Sequence, residues 1–164
     1  MIENFPFVDV AGRANALALM LTPIVRPAIS GRVPLGLVDS PRMGTGKGLL
    51  TEIACLLGTG REAAMVPTPT KEEEWRKTIT TLLLEGSTFI AFDEVAQTLS
   101  SRSLSAALTA PAWKDRLLCL NKSATIPQRA TWVATGNNIR LGGDIARRCY
   151  WIRMDTKTSR PWKP

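Results

Sequence analysis

The stretch PLGLVDSPRMGTGKGLL, residues 34–50, constrains the fold of this chain more than any other. It joins a short apolar run, a glycine-bearing turn and the start of a Leu/Ala-rich segment. An apolar run of that length, bounded by Pro34 and the glycines, fits a strand buried on both faces, as a parallel sheet requires. Residues 47–57 then read as a helix that LGTG, 57–60, brings to a stop. The alternation recurs along the chain. Residues 11–29 read as a helix whose end is disturbed by Pro23 and Pro27, and 63–69 as a second short strand. Thr70 is placed to cap the helix KEEEWRKTITTLLLEG, whose acidic first turn complements the helix dipole. Residues 87–95 form a third strand and 104–108 a short helix. Two β-like arms around NKS give a hairpin over 116–128, and 130–138 is a fourth strand closing on Gly-Asn-Asn. GGDIARR is a brief helix with Asp144 near its start, and 149–155 is the last strand. Strands alternating with helices predict an α/β fold, a mainly parallel five-stranded sheet flanked by helices on both faces.

In such sheets the functional ends are the C-terminal ends of the strands, and three polar signals fall there: residues 40–47, Asp93 with Glu94, and Asn137 with Asn138. Gly44 and Gly46 free the backbone to curl so that successive N–H groups face phosphate oxygens, and Lys47 adds a cation. The phosphate-cradling pattern is G-x-x-x-x-G-K-[ST]. Here Pro41 holds the place of the first Gly, and Gly48 that of the hydroxyl residue. The alternative is a plain strand-to-helix turn with an exposed lysine. Asp93 lies 46 residues beyond Lys47, at the end of an apolar strand, where a carboxylate can hold Mg²⁺ near a triphosphate. Glu94 would then polarise the attacking water as general base; the alternative is two acids capping a strand. Asn137 would fix the lytic water or the γ-phosphate, with Asn138 as its competitor. Arg147 and Arg148 precede the last strand at a sheet edge, far from their own glycine loop. There they suit a neighbouring subunit's γ-phosphate, as an arginine finger in trans, or form a pair of surface arginines.

Composition narrows the partners. The 164 residues suffice for one domain with one sizeable core. Histidine is absent, there is no C-x-x-C, and Cys55, Cys119 and Cys149 are widely spaced. A Cys/His zinc site is thereby excluded, and buried reduced thiols of a cytoplasmic protein are expected. The N-terminus has no signal-peptide pattern, and the apolar run 14–25 is too short to span a bilayer and contains Pro23, so no membrane is expected. The net charge of +7 is concentrated late in the chain. Residues 1–109 hold 10 Lys/Arg against 11 Asp/Glu, whereas 110–164 hold 11 against 3. The basic third is suited to polyanions, or is a solvated basic surface.

Taken together, PRMGTGKG, FIAFDE, ATGNN and DIARRCYWIRMD resemble the Walker A, Walker B, sensor 1 and arginine-finger segments of P-loop NTPases of the AAA+ class. The resemblance covers about residues 10–155. It is nearest to helicase-like domains of phage and mobile-element replication proteins, akin to superfamily 3 and minichromosome maintenance helicases. The resemblance implies ATP and Mg²⁺ as cofactors, with the nucleotide on Arg42, Met43, Gly44, Thr45, Gly46, Lys47, Gly48 and Leu49, and Asp93 on the metal. It also implies a homo-oligomeric, hexameric ring acting on single- or double-stranded DNA, with a primase-polymerase domain or partner. The hairpin before the sensor 1 strand would carry Lys122 as a DNA contact. Residues 1–157 would be the ATPase core without its helical lid, and 158–164 a basic, Pro-containing tail. The expected role is a DNA helicase or translocase. The alternatives are an ATP-binding assembly or switch module with little hydrolysis, and an AAA+ remodeller acting on protein.

Overall fold

The computed structural model of the chain describes residues 2–96, 98–117 and 122–156. Helix α1 (Val10–Val25) starts at Asp9, whose carboxylate accepts from Gly12 N at 2.6 Å. It runs through Pro23 but gives way to a 3-10 turn at Arg26–Ala28, earlier than the 29 expected, because Pro27 has no N–H to continue the ladder. Strand β1 (Leu35–Ser40), helix α2 (Lys47–Thr59) and strand β2 (Met65–Pro67) follow.

Helix α3 (Glu72–Leu84) departs from expectation at its start. Thr70 does not cap it; Lys71 holds the cap position and makes no side-chain cap bond. The first-turn Glu72 serves another helix instead. After β3 (Phe89–Val95) and the short β4 (Thr98–Leu99) comes α4 (Arg102–Thr109), and the Glu72 carboxylate accepts from Ser103 N at 2.6 Å and Arg102 N at 3.2 Å. Ser101 completes that N-terminus by accepting from Leu104 N.

The hairpin pairs β5 (Ala112–Arg116) antiparallel with β6 (Ser123–Pro127). Its first arm begins at 112 rather than 116, because Trp113, opposite Ile126, is the buried anchor of the pair. Cys119, in the first expected arm, and Asn121, of the expected turn, lie outside the described residues, as does the tail from 157. Strand β7 (Thr131–Asn137), the short β8 (Arg140–Leu141), a 3-10 turn at Gly143–Arg148 and β9 (Cys149–Arg153) complete the chain.

Five strands form one parallel sheet in the order β2-β3-β7-β1-β9, so β1 lies between β7 and β9, the last two of these five in the chain. A period of two divides each strand between two cores. Leu37, Phe92 and Trp132 face α3 and α4, where Trp75 meets Phe92 edge-on at 4.7 Å between centroids. Val38, Ala91, Val133 and Ile152 face the other way, onto Leu19 of α1 and Leu50 of α2. Each of these large buried side chains contributes about 1.5–3 kcal/mol. Beyond the C-terminal ends, β4 and β8 make a two-residue parallel pair that the sequence pattern does not announce. Among the described residues, Cys55 is buried and Cys149 half-buried with its thiol pushed up to about 11 by burial. Among them, too, no helix is long and apolar enough to cross a membrane, and no three Cys, Asp or Glu gather as a metal site.

Candidate functional site

Ser40 ends β1 and begins the turn: its hydroxyl accepts from Arg42 N at 3.1 Å and donates to Arg42 O at 3.0 Å. Gly44 and Gly46 have φ of 72° and 95°, the left-handed region in which a β-carbon is strained. Gly46 is also the cap position of α2 and has no side chain to satisfy the helix's first N–H groups. The loop therefore presents backbone donors and the positive end of a helix to the same space.

Lys47, at the first position of α2, is half-buried. Its Nζ donates to Asn137 Oδ1 at 2.8 Å and to Arg42 O at 3.2 Å. Burial lowers its pKa, and the carboxylates of Asp39 and Asp93 act in the opposite direction. The link to Asn137 exists because β1 and β7 are neighbours in register, with Ser40 opposite Asn137.

Consecutive strand residues normally point to opposite faces, yet both Asp93 and Glu94 line one cleft. The register of β3 against β7 shifts between Phe92 and Val95, and Glu94 has φ 52°. This bulge turns the strand end so that both residues border the cleft. Asp93 Oδ1 accepts a short hydrogen bond from the Thr135 hydroxyl, which orients one oxygen and leaves the other to the cleft. The cleft, about 630 Å³, runs from Met43–Leu49 to Asp93–Ala96 and Thr135–Asn137.

The two asparagines separate. Asn137 lines the cleft and holds Lys47, whereas Asn138 takes φ 52° in the turn and donates its backbone N–H to Ser40 O at 3.1 Å. Arg42 through Leu49 form the loop and first turn, with Thr45 buried and its Oγ1 without a hydrogen-bond partner among the described residues. At Gly48 a β-carbon would meet nothing within 4 Å. Thr51, one turn on, is buried with its hydroxyl donating to Lys47 O at 3.1 Å, so it does not replace the hydroxyl missing at 48.

Arg147 and Arg148 lie away from this cleft. Cys149 pairs with Leu35, which puts both arginines at the N-terminal end of the edge strand β9. Asp144 holds them through an ion pair to Arg147 and its carbonyl to Arg148 at 2.9 Å, and the two cations keep its carboxyl below the usual range. Lys122 is exposed at the far end of the hairpin, its carbonyl accepting from Leu117 N.

Two contributors escape a reading of motifs. Asp39 is buried, accepts from Ile139 N at 2.9 Å and pairs with Arg153 at 3.3 Å, tying β1 to the turn after Asn137 and to β9. Thr135 orients Asp93. Thr135 has a faint signal in the sequence, two residues before Asn137 and so on the same strand face; Asp39 is an acid closing an otherwise apolar strand.

No protein-family model matches the chain, and no curated protein matches it. Among solved structures, the A form apo structure of the NrS-1 C-terminal region, residues 305–718, superposes with a TM-score of 0.59 over 93% of this chain. The likeness is one of fold. Identity is 14%, and the chain spans 35% of that structure's length.

Proposed function

We propose that this chain is an ATP-hydrolysing motor domain acting on nucleic acid, a P-loop ATPase of the AAA+ type that works as a helicase or translocase ring. The observation that carries the reading is the convergence of Lys47, Asp93, Glu94 and Asn137, from three neighbouring strand ends, on one cleft. The strand order supports it, since β7 separates the strand before the glycine loop from the strand carrying the two acids.

The residues present fit a nucleoside triphosphate. Left-handed glycines and an uncapped helix offer N–H donors to phosphate oxygens, and Lys47 exchanges its two neutral acceptors for a phosphate. Asp93, with one oxygen fixed by Thr135, is the group to hold Mg²⁺, which supplies neutralisation of charge developing on the phosphates when bound. Glu94 accepts the proton of the attacking water. Asn137, released by Lys47, hydrogen-bonds the water or the γ-phosphate. Arg147 or Arg148 serves the neighbouring subunit's site in trans, and Lys122 contacts the DNA backbone. A primase-polymerase domain or partner fits the same setting.

Gly48 favours a second reading, an ATP-binding assembly or switch module with little hydrolysis, because it brings no hydroxyl to the metal. The deciding experiment is an ATPase assay of the wild-type chain and Glu94→Gln, with and without single-stranded DNA, over a range of protein concentrations. The motor reading expects wild-type turnover that rises with concentration and DNA, and a loss of about 10²-fold or more in Glu94→Gln. ATP binding without turnover under every condition, with partner domains added, leaves the switch reading. Full activity in both Arg147→Ala and Arg148→Ala would remove the trans finger.

A further inference from the structure

At the opposite end of the sheet from the nucleotide cleft, a cavity of about 510 Å³ opens between the 3-10 turn after α1 and the foot of the hairpin. Three arginines line it, Arg26, Arg32 and Arg129, and no carboxylate does so among the described residues. Arg26 is 5% exposed, yet among the described residues its guanidinium is met only by neutral groups, Ile29 O at 2.9 Å and Gln128 O at 3.2 Å. Its Nε is buried with no partner among the described residues. Burial and the charge of Arg129 both lower the pKa of Arg26. A buried cation beside a second cation, with no counter-charge, is costly unless an anion completes it.

The floor of the cavity is held rigid. Gln128 donates to Ala107 O at 2.8 Å and accepts from Ala130 N at 3.1 Å, and Gln128 N donates to Pro111 O. Arg32 and Arg129 are exposed and make no ion pair among the described residues. Pro111 and Pro127, at the foot of the hairpin, form part of the cavity wall. Ala112 pairs with Pro127 there, and the alternation that buries Trp113 puts the exposed Lys114 on the same outer face as that pair. Guanidinium forks match phosphate oxygens in pairs, and three arginines with Lys114 beyond them on the hairpin suit a ligand with repeated phosphates. Among the described residues no aromatic side chain lines the cavity, so they offer no base stacking as a means of recognition.

We infer that the Arg26–Arg32–Arg129 cavity is a binding site for the phosphodiester backbone of a nucleic-acid strand, which passes from the foot of the hairpin along its basic outer face. Binding here is independent of base sequence and steep in salt. The site shares with the proposed function only its nucleic-acid partner and needs no nucleotide in the cleft.

The test is fluorescence anisotropy of a labelled single-stranded oligonucleotide with the full chain, in a salt series and without ATP, for wild type, Arg32→Ala/Arg129→Ala and Arg32→Gln/Arg129→Gln. Both altered side chains are exposed, and an unchanged Tm verifies folding. The double variants should bind on the order of tenfold more weakly, with the slope of log affinity against log salt shallower by roughly 1.4, two single-strand phosphate contacts. Wild-type affinity and slope in both would overturn the inference. Titration with inorganic phosphate separates the sources. Variants that lose phosphate binding but keep the oligonucleotide would mark a site for the free anion and likewise overturn it. ATP hydrolysis is measured in parallel. A chain with no turnover that still loses oligonucleotide in these variants keeps this site and discards the motor.

Discussion

The two ends of the central sheet carry charge in opposite styles. At the C-terminal end, the cation Lys47 lies among Asp39, Asp93, Glu94 and Asn137, and has an acceptor on two sides. At the N-terminal end, Arg26, Arg32 and Arg129 share a cavity with carbonyls and, among the described residues, no carboxylate. The mixed set suits chemistry in which phosphate charge is neutralised, a metal is held and a proton leaves a water molecule, all at fixed places. The unmixed set suits retention of a polyanion, where charge matters and the detailed order of donors does not. On the proposed reading, one sheet separates turnover from grip by its strand direction.

That separation can be broken experimentally. The largest effect is expected from Lys47→Ala, which should weaken ATP binding by about 10- to 100-fold, the worth of a charge-assisted bond to phosphate, as read by titration calorimetry. Oligonucleotide affinity should stay at the wild-type level. If both fall together, the two ends are not separate sites. A smaller and purely structural effect is expected from Asp39→Ala. Removing this carboxylate leaves Ile139 N and Arg153 without their partner, and urea unfolding should show a loss of about 1–3 kcal/mol. An unchanged midpoint would show that the turn after Asn137 is held by other contacts. The smallest is Gly48→Ser. The position has room for the side chain, and the added hydroxyl should lower the Mg²⁺ concentration needed for half-maximal hydrolysis a few-fold. A requirement that does not move would show that the metal is held without position 48.

Much of the cleft was legible because its parts are local. The positive φ of Gly44 and Gly46, the lysine at the head of α2 and the acids at the end of β3 are each written in a few adjacent residues. What was not legible depends on partners far along the chain. Thr70 resembles a cap, but Glu72 is taken up by the N-terminus of α4, thirty residues on. The hairpin register followed the burial of Trp113, which its own segment does not disclose. The sequence puts Asp93 and Glu94 together at a strand end, but the shift of register that lets neighbouring strand residues line one cleft shows only in the pairing of β3 with β7. The choice between Asn137 and Asn138 likewise needed the register of β7 against β1.

The sequence by itself determined the long strands and helices, their alternation and so a parallel sheet, together with the chemistry available at each strand end, because periodicity, glycine and charge act over a few residues. Only the tertiary structure decided which strand ends are neighbours, that Lys47 reaches Asn137, and that Arg26, Arg32 and Arg129 meet in one cavity. The physical reason is distance along the chain. Arg26 and Arg129 come from segments 103 residues apart, and nothing in either one encodes the other until the sheet between them is built.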